Sequence, residues 1–364
     1  MPEEYKTNTK LPEIDALRGI AIIMVVCQHT KSYWWLRDHP VLFNNCWQAV
    51  NLFFLLSGFS LALPYLNRKR NLNNQTEIWN FYKKRFQRLI PLMLISTTIG
   101  VYFCSHFEND AFWDYFYTVT TLNTFTEKYF FPKVNDVLWS LSIEVWFSIC
   151  FVFIIYCFRK KPYFTAGVIF LIALGVRIYS INACVDYKIL NYIKDSLFAR
   201  LDDFLLGMIV CYWIINTSVL QKIKPNIFIS LLLLVLIYLL SKNNFEIWYY
   251  NRVLAKNQGY YLAFMNNYTH VVLLLLLLFY FTMNKWLSFI FKNYVLRMLG
   301  RMSFSIYIWH SFLVELFDQK IGNTESSDSI LLAKFWILTL IISILTYRYI
   351  EFGHVNSWKK IFED

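Results

Sequence analysis

Residues 11–30, LPEIDALRGIAIIMVVCQHT, are the first of a series of apolar segments long enough to cross a bilayer as a helix. Arg18 and His29 in this segment are eleven positions apart. Eleven steps of about 100° turn a helix about 20° beyond three full turns, so both side chains point the same way, about 16 Å apart along the axis. Such groups are costly inside a membrane, which indicates that something polar lies along that face.

The whole chain has the composition of a membrane protein. Of its 364 residues, 57% are hydrophobic, 20% are aromatic and only 16% are charged, a balance unlike that of soluble proteins. We therefore predict an all-α, polytopic helical bundle in the membrane with about ten transmembrane helices of about 20 residues each. The predicted spans are residues 12–30, 47–66, 86–105, 138–158, 163–181, 198–216, 226–241, 268–284, 299–317 and 330–350.

The lysines and arginines orient these spans. If the N-terminus is cytoplasmic, 22 of the 35 lysines and arginines lie in inner segments and 11 in outer segments. This bias follows the positive-inside rule, and it places both the N- and the C-terminus in the cytoplasm. Basic inner loops, which can also contact anionic lipid, account for much of the net charge of +11. The charge therefore requires no nucleic-acid partner.

The chain is interpreted as a single membrane-embedded domain over residues 1–364, with no separate soluble domain. The two longest polar stretches, 106–137 and 242–267, are rich in aromatic residues, and we expect them to lie along the outer interface or to fold back over the bundle. Residues 1–13 hold three glutamates, so they are not typical of a signal peptide. Seven cysteines are scattered without a CxxC pair, so no metal site and no disulfide framework is predicted.

Six motifs follow one another along the chain: DALRGIAIIMVVCQH (15–29), NLFFLLSGFSLALP (51–64), FYKKRFQRLIPLM (81–93), LWSLSIEVWFS (138–148), RLDDFLLGMIV (200–210) and GRMSFSIYIWHSF (300–312). In this order they resemble the motifs of the membrane acyltransferase type 3 family, the multi-pass enzymes that O-acylate cell-surface sugars. The ending YRYIEFG departs from the family pattern, because Gly353 stands where members often have proline. The resemblance covers nearly the whole chain.

The resemblance implies an O-acyltransferase of the plasma membrane. Such an enzyme moves an acyl group, most often acetyl in this family, from cytoplasmic acyl-CoA to a hydroxyl of a cell-surface or lipid-linked carbohydrate. Acyl-CoA is then a co-substrate, and no permanently bound cofactor is implied. The chain shows no SGNH-type domain of the kind some members carry, so transfer is expected within the bundle or on a partner protein. The oligomeric state stays open.

His29 and Glu144 are the predicted catalytic residues. Histidine exchanges protons near neutral pH, so His29 suits a general base for an acceptor hydroxyl, or else an acyl-histidine relay. An interfacial histidine bonded to a neighbouring carbonyl is the structural alternative. Glu144 lies within an apolar segment, where an unpaired carboxylate is costly. We expect it to orient His29 or an acceptor hydroxyl, or to pair with an arginine such as Arg177 or Arg301.

Three arginines, Arg18, Arg85 and Arg88, are predicted to bind the donor. Arg85 and Arg88 share a helix face, and two guanidinium groups can grip a diphosphate, although a cluster of this kind can also be an ordinary positive-inside signal. Arg18 is too far from His29 to be an oxyanion donor, which must lie within about 3 Å. It is assigned to the phosphate or pantetheine part of the donor, or else to a topology anchor. Asp15, one turn earlier, is expected to orient it.

Three further residues are predicted to line the site. Ser57 is either a site residue or a small residue for close helix packing. Tyr307 and His310 lie one turn apart, and His310 is either a site wall or a satisfied histidine between helices. Two intramembrane acids, Asp202 and Asp203, are interpreted as part of a structural ion pair.

Two other function classes remain open. A secondary transporter or channel would use the same intramembrane charges as a proton or ion path, but the chain has only ten glycines and no visible repeat, which counts against it. A flippase-like or scaffold component of surface-polysaccharide assembly is the third possibility. It predicts that His29→Ala leaves polysaccharide acylation intact.

Overall fold

The computed structural model of the chain describes residues 11–30, 46–103, 110–183, 192–216, 226–254, 274–275, 288–321 and 329–351. Every regular element in these ranges is a helix, which confirms the all-α prediction. The helices are α1 (Pro12–His29), α2 (Gln48–Leu66), α3 (Gln75–Phe103), α4 (Ala111–Val119), α5 (Leu138–Lys160), α6 (Pro162–Ala183), α7 (Leu197–Asn216), α8 (Ile227–Leu254), α9 (Ser288–Phe291), α10 (Tyr294–Arg301), α11 (Ser303–Ile321) and α12 (Ser329–Thr346). A 3₁₀ turn (Leu122–Phe125) follows α4, and a π turn (Tyr347–Glu351) follows α12.

Four helical segments in the described part of the chain are long and apolar enough to cross a membrane. They are Gln48–Leu66, Leu138–Lys160, Pro162–Tyr179 and Ile330–Glu351, which coincide with four of the predicted spans. Helices α1 and α7 also coincide with predicted spans, but each carries several charged residues, and in both helices some of those charges are buried or partly buried. The chain is therefore an all-helical membrane-type protein.

Several helix bounds differ from the predicted spans. Helix α3 begins at Gln75 rather than at residue 86, so Arg85 and Arg88 lie well inside it rather than at its start. The predicted span 299–317 is divided between α10 and α11 at Met302. These differences arise because hydropathy detects the part of a helix that suits lipid, whereas a helix continues as long as its backbone hydrogen bonds do.

Two other predictions concern the second half of the chain. Helix α8 begins near the predicted residue but continues to Leu254, and its apolar part is Ile227–Leu239. The predicted span 268–284 lies outside the described residues, apart from the two helical residues 274–275.

Glycines allow two pairs of helices to approach closely. A Cβ atom on Gly58 of α2 or on Gly207 of α7 would strike backbone atoms of the other helix. Gly19 of α1 and Gly300 of α10 form a second pair of the same kind. Small residues at crossings are typical of membrane helices, because they let the backbones come together. Gly58 therefore confirms the close helix packing predicted around Ser57. The contact holds α2, which carries both residues, against α7.

Buried charges of α6 and α7 pair with each other. Arg177 donates two hydrogen bonds to Asp202, with N–O distances of 2.8 and 2.9 Å. Arg200 donates to Asp203 at 3.2 Å and to the side-chain oxygen of Asn51 on α2 at 2.7 Å. These contacts agree with the prediction that Asp202 and Asp203 belong to structural ion pairs. The bond from Arg200 to Asn51 also links α7 to α2.

Residues 110–137, the described part of the segment before α5, pack against α5 and α11. Asn123 is fully buried; its side chain donates to the carbonyl of Phe130 at 3.2 Å and accepts from Ser142 of α5 at 2.6 Å. Asn135 donates to the carbonyl of Ile308 on α11 at 2.9 Å. These contacts hold the segment against α5 and α11, the two helices that supply Glu144, Tyr307 and His310.

Candidate active site

Six of the nine predicted site residues line one cavity between α1, α2, α3, α5 and α11, which we call the inner cavity. Its volume is about 70 Å³. The lining combines three guanidinium groups, a carboxylate, hydroxyl groups and apolar walls. It is formed by Arg18, Val50, Phe53, Phe54, Ser57, Arg85, Arg88, Leu89, Ser140, Leu141, Glu144, Ser303, Phe304 and Tyr307.

Glu144 links three helices at the centre of this cavity. Its Oε1 atom accepts a hydrogen bond from Arg85 Nη2 at 2.6 Å and from Ser57 Oγ at 3.1 Å. The expected pairing with an arginine is therefore present, but the partner is Arg85, whereas Arg177 pairs with an aspartate. The carboxylate therefore holds Arg85 and Ser57 in place.

Arg88 pairs with a carboxylate from the other end of the chain. Its Nε atom donates to Glu351 Oε1 at 3.1 Å, and Ser305 Oγ donates to Glu351 Oε2 at 3.0 Å. Glu351 is 5% exposed, so it needs such partners. Sequence reasoning did not assign Glu351 to the site. The available signal was a glutamate at the end of an apolar span, in the ending YRYIEFG that departs from the family pattern at Gly353.

Arg18 reaches the inner cavity from α1. Its Nη2 atom donates to Ser60 Oγ of α2 at 3.0 Å, while its Nη1 atom lies 3.9 Å from Asp15 Oδ1. Asp15 is thus close enough for a long ion pair, as expected, but it does not line the cavity. Ser60 is a second residue that the sequence did not indicate, and it holds the guanidinium more closely than Asp15 does.

His29 and His310 lie next to each other, outside the lining of the inner cavity. Their ring centroids are 5.0 Å apart and the rings meet edge to face at 79°. The ring of Tyr307 lies 5.6 Å from that of His310. Tyr307 also contacts Ser140, with 2.6 Å between the two hydroxyl oxygens. Because Tyr307 lines the cavity and packs against His310, it connects the cavity to the pair of histidines.

A second, wider cavity of about 470 Å³, which we call the vestibule, adjoins the inner cavity. Arg85 and Arg88 line both spaces. The vestibule has five cationic side chains, one carboxylate and two aromatic rings. Its lining is Ser60, Leu61, Pro64, Tyr65, Lys69, Arg70, Asn71, Glu77, Asn80, Phe81, Lys84, Arg85 and Arg88. This lining suits a polyanionic ligand. Within the described ranges, no group of three His, Cys, Asp or Glu side chains could hold a metal ion.

Residues 11–348 match the sequence profile of the acyltransferase type 3 family, described as an acyltransferase domain. The chain belongs to this family. A protein of Staphylococcus aureus strain COL, provisionally named as an O-acetyltransferase, is 24% identical to it over 385 residues. The O-acetyltransferase OatA of Staphylococcus aureus strain NCTC 8325 is 22% identical over 375 residues. No solved structure matches the chain.

The chain spans only part of the length of these relatives. Each alignment covers 96% of the chain and 58% of the relative. Both relatives are named as O-acetyltransferases, one of them provisionally. In this chain, six of the nine residues predicted for the site line the inner cavity, Asp15 and His310 lie against members of that lining, and His29 packs against His310. Three further side chains join them through hydrogen bonds to Arg18, Tyr307 and Arg88, namely Ser60, Ser140 and Glu351.

Proposed function

We propose that this acyltransferase transfers a short acyl group, most simply acetyl, from acyl-CoA to a hydroxyl of a cell-surface or lipid-linked carbohydrate. The observation that carries the proposal is the pair of adjoining cavities. A wide basic vestibule leads to a narrow inner cavity, and Arg85 and Arg88 belong to both. Tyr307 lines the inner cavity but not the vestibule, and it packs against His310 beside His29.

The vestibule supports a donor with several phosphate groups. Coenzyme A is such a polyanion, and its long arm can extend from a basic binding surface to a distant reaction centre. Lys69, Arg70 and Lys84 add three cations to the two arginines shared with the inner cavity. Arginine binds phosphate oxygens with two parallel hydrogen bonds, whereas lysine acts as a point charge. Arg18 lines only the inner cavity, where it would meet the pantetheine end.

The small volume of the inner cavity supports a short acyl group. A space of about 70 Å³ holds a few water molecules. An acetyl group is of that size, whereas a long fatty acyl chain would have to displace packed side chains such as Phe53 and Phe54, which line the cavity.

His29 is the proposed general base. The acceptor oxygen forms a bond to the thioester carbonyl carbon while His29 takes the hydroxyl proton. The carbon–sulfur bond then breaks, and His29 returns the proton to the thiolate of coenzyme A. The alternative is a relay in which His29 itself carries the acyl group. In both schemes Glu144, proposed from the sequence as catalytic, acts by holding Arg85 and Ser57.

The proposal places the chain in the plasma membrane as a multi-pass protein. It has about ten spans, both termini in the cytoplasm, and residues 1–364 as one membrane-embedded domain. The vestibule, lined by residues of the basic segment 67–88, then faces the cytoplasm, where acyl-CoA is available. The acceptor would approach the histidines from the opposite side.

The test is acyl transfer by the purified, full-length chain in lipid nanodiscs. Labelled acetyl-CoA is supplied with surface glycans from cells lacking the chain, and mass spectrometry measures their O-acetylation. Wild-type protein should add acetyl groups and release coenzyme A, and His29→Ala should not. Transfer that is undiminished in His29→Ala would overturn the proposed role of this histidine. Unchanged glycan acylation after deletion of the chain, together with no acetyl-CoA turnover, would favour a transporter or scaffold instead.

A further inference from the structure

We infer that His310 is a positioning residue for His29, and that its Nε2 atom accepts an N–H hydrogen bond from His29 while His29 carries the proton of the acceptor. This inference rests on the proposed function, since it assigns a role within the same reaction. It does not depend on which sugar or which acyl group is used.

The hydrogen bonds of His310 determine which ring nitrogen carries its hydrogen. Its Nδ1 atom lies 2.7 Å from the carbonyl oxygen of Tyr307 and 3.3 Å from that of Ile306. Both carbonyl oxygens are acceptors, so Nδ1 must be the donor. In a neutral imidazole the other nitrogen then has no hydrogen and presents a lone pair. The turn of α11 before His310 therefore fixes Nε2 as a hydrogen-bond acceptor.

Among the described residues, none donates a hydrogen bond to the lone pair of His310 Nε2. The side chain is 0% exposed, and Nε2 is buried with no hydrogen-bond partner among the residues that the structure describes. A buried polar atom without a partner is rare in folded proteins and calls for a specific explanation. A purely structural histidine would be satisfied at both nitrogens. The lone pair of His310 is instead available for a donor that arrives during the reaction.

His29 is the side chain placed to supply that donor. Its ring lies edge to face with the ring of His310, at a centroid distance of 5.0 Å. His29 is the last residue of α1 and only half-buried, so it can meet an acceptor molecule on one side while His310 lies behind it. The proposed hydrogen bond requires the His29 side chain to turn one N–H toward Nε2, and the short centroid distance keeps the two rings within reach of each other. Catalytic hydrogen bonds are often long in the empty site and shorten when the reactants bind.

The proton inventory of the step is simple. When His29 takes the hydroxyl proton, it becomes an imidazolium with a hydrogen on each nitrogen. One of these donates to His310 Nε2, and the other is later returned to the thiolate sulfur of the leaving coenzyme A. His310 neither gains nor loses a proton. It holds the His29 ring in one orientation and stabilises the imidazolium by a charge-assisted hydrogen bond.

Two substitutions separate this role from a structural one. In His310→Asn, the side-chain amide takes the place of Nδ1, so the bond to the Tyr307 carbonyl is kept and the acceptor at Nε2 is lost. In His310→Gln, the amide takes the place of Nε2, so an acceptor is kept there. We expect His310→Asn to lower kcat by about 10-fold or more, a part of the roughly 10²–10⁴-fold that general acid–base catalysis contributes, because His29 itself is kept. KM for acetyl-CoA should stay near the wild-type value, and His310→Gln should retain most of kcat.

A structural role predicts the reverse order. His310→Asn would then be close to wild type, His310→Gln would be the less stable variant, and any loss would affect kcat and KM together. Either that order or equal activity in all three proteins would overturn the inference, while wild-type transfer and its loss in His29→Ala would leave the proposed function intact. If wild-type protein transfers nothing, the proposed function itself fails.

A measurement on unmodified protein covers the case in which a variant does not fold. The ¹⁵N spectrum of histidine-labelled wild-type protein reports which ring nitrogens carry hydrogen. The pair of resonances that shifts in His29→Ala belongs to the neighbouring His310. We expect its Nε2 to have the shift of a nitrogen without hydrogen. A hydrogen-bearing Nε2 would contradict the inference directly.

Discussion

Arg85 and Glu144 carry the central charge pair of the site, and they can be tested as a unit. The two side chains are 13% and 21% exposed, and removal of one partner from a buried pair costs about 3–5 kcal/mol because the other charge is left unpaired. We expect Glu144→Ala to lower the Tm strongly. The double variant Arg85→Met/Glu144→Leu should recover most of the stability, but none of the activity. Unfolding of purified protein in detergent and acetyl-CoA turnover measure the two effects.

The double variant makes this prediction specific. If it is as unstable as Glu144→Ala, the loss comes from packing rather than from an unpaired charge. If it transfers acetyl groups at the wild-type rate, Arg85 does not act on the donor.

Lys83 and Lys84 are adjacent lysines that provide a matched pair for the vestibule. Both are exposed, but only Lys84 lines the vestibule. We expect Lys84→Ala to raise KM for acetyl-CoA by about two- to five-fold, the effect of losing one solvent-screened charge contact. The increase should be larger at low ionic strength. Lys83→Ala is the control and should leave KM unchanged. Equal effects of the two substitutions would indicate a general charge effect rather than a contact in the vestibule.

At the residue scale, the sequence predicted six of the side chains that line the inner cavity but not how they pair. The eleven-residue spacing of Arg18 and His29 is a property of one helix, so it can be read from the chain. The bond from Ser57 to Glu144 spans 87 positions, and the bond from Arg88 to Glu351 spans 263. Such pairings depend on which helices pack together. A single sequence does not contain that information in its periodicity.

Gly58 offers a test of the contact between α2 and α7. A Cβ atom on Gly58 would strike the backbone of Phe204, whereas a Cβ on Gly167 of α6 would meet nothing within 4 Å. We expect Gly58→Ala to destabilise the protein by about 1–3 kcal/mol through overpacking. Gly167→Ala should stabilise it by about 0.5–1 kcal/mol, because alanine favours the helix. Thermal unfolding of the two variants in the same detergent provides the comparison.

The opposite signs are what make the glycine comparison informative. A stabilising Gly58→Ala would mean that α2 and α7 are not in close contact at this position. Reduced activity in Gly58→Ala at unchanged stability would show that the position of Ser57, the preceding residue, matters more than the packing itself.

At the element scale, hydropathy located the helices better than it located their ends. It identified α2, α5 and α6 to within a few residues, because their apolar runs and their helices have nearly the same length. It placed the start of α3 too late, because the first residues of this helix are polar. It also joined α10 to α11, since the break at Met302 leaves the apolar pattern undisturbed.

Lys69 and Lys128 provide a test of the proposed membrane topology. Lys69 is exposed next to the vestibule, and Lys128 is 62% exposed in the segment before α5. The proposal puts Lys69 inside the cell and Lys128 outside. In a background with all seven cysteines replaced, a membrane-impermeant maleimide should label Lys128→Cys in intact spheroplasts. It should label Lys69→Cys only after permeabilisation. The reverse result would invert the orientation and direct the vestibule away from cytoplasmic acyl-CoA.

At the scale of the whole molecule, composition was enough to predict a helical membrane protein, and the order of six motifs was enough to predict its family. The cavities could not be predicted in the same way. The vestibule is built from α2, α3 and the residues between them, so its walls are near in sequence. The inner cavity needs α1, α2, α3, α5 and α11 at once, and only the assembled bundle brings these together.

The three arginines of the inner cavity each have a carboxylate of their own. Asp15 stands near Arg18, Glu144 pairs with Arg85 and Glu351 pairs with Arg88. An empty site that contains its own counterions is close to electroneutral, so it can persist in a low-dielectric surrounding without bound anions. An incoming polyanion must compete with these internal carboxylates, which then recapture the arginines when it departs. For the proposed acyl-CoA donor, we therefore expect fast dissociation of the spent coenzyme rather than tight retention of the donor.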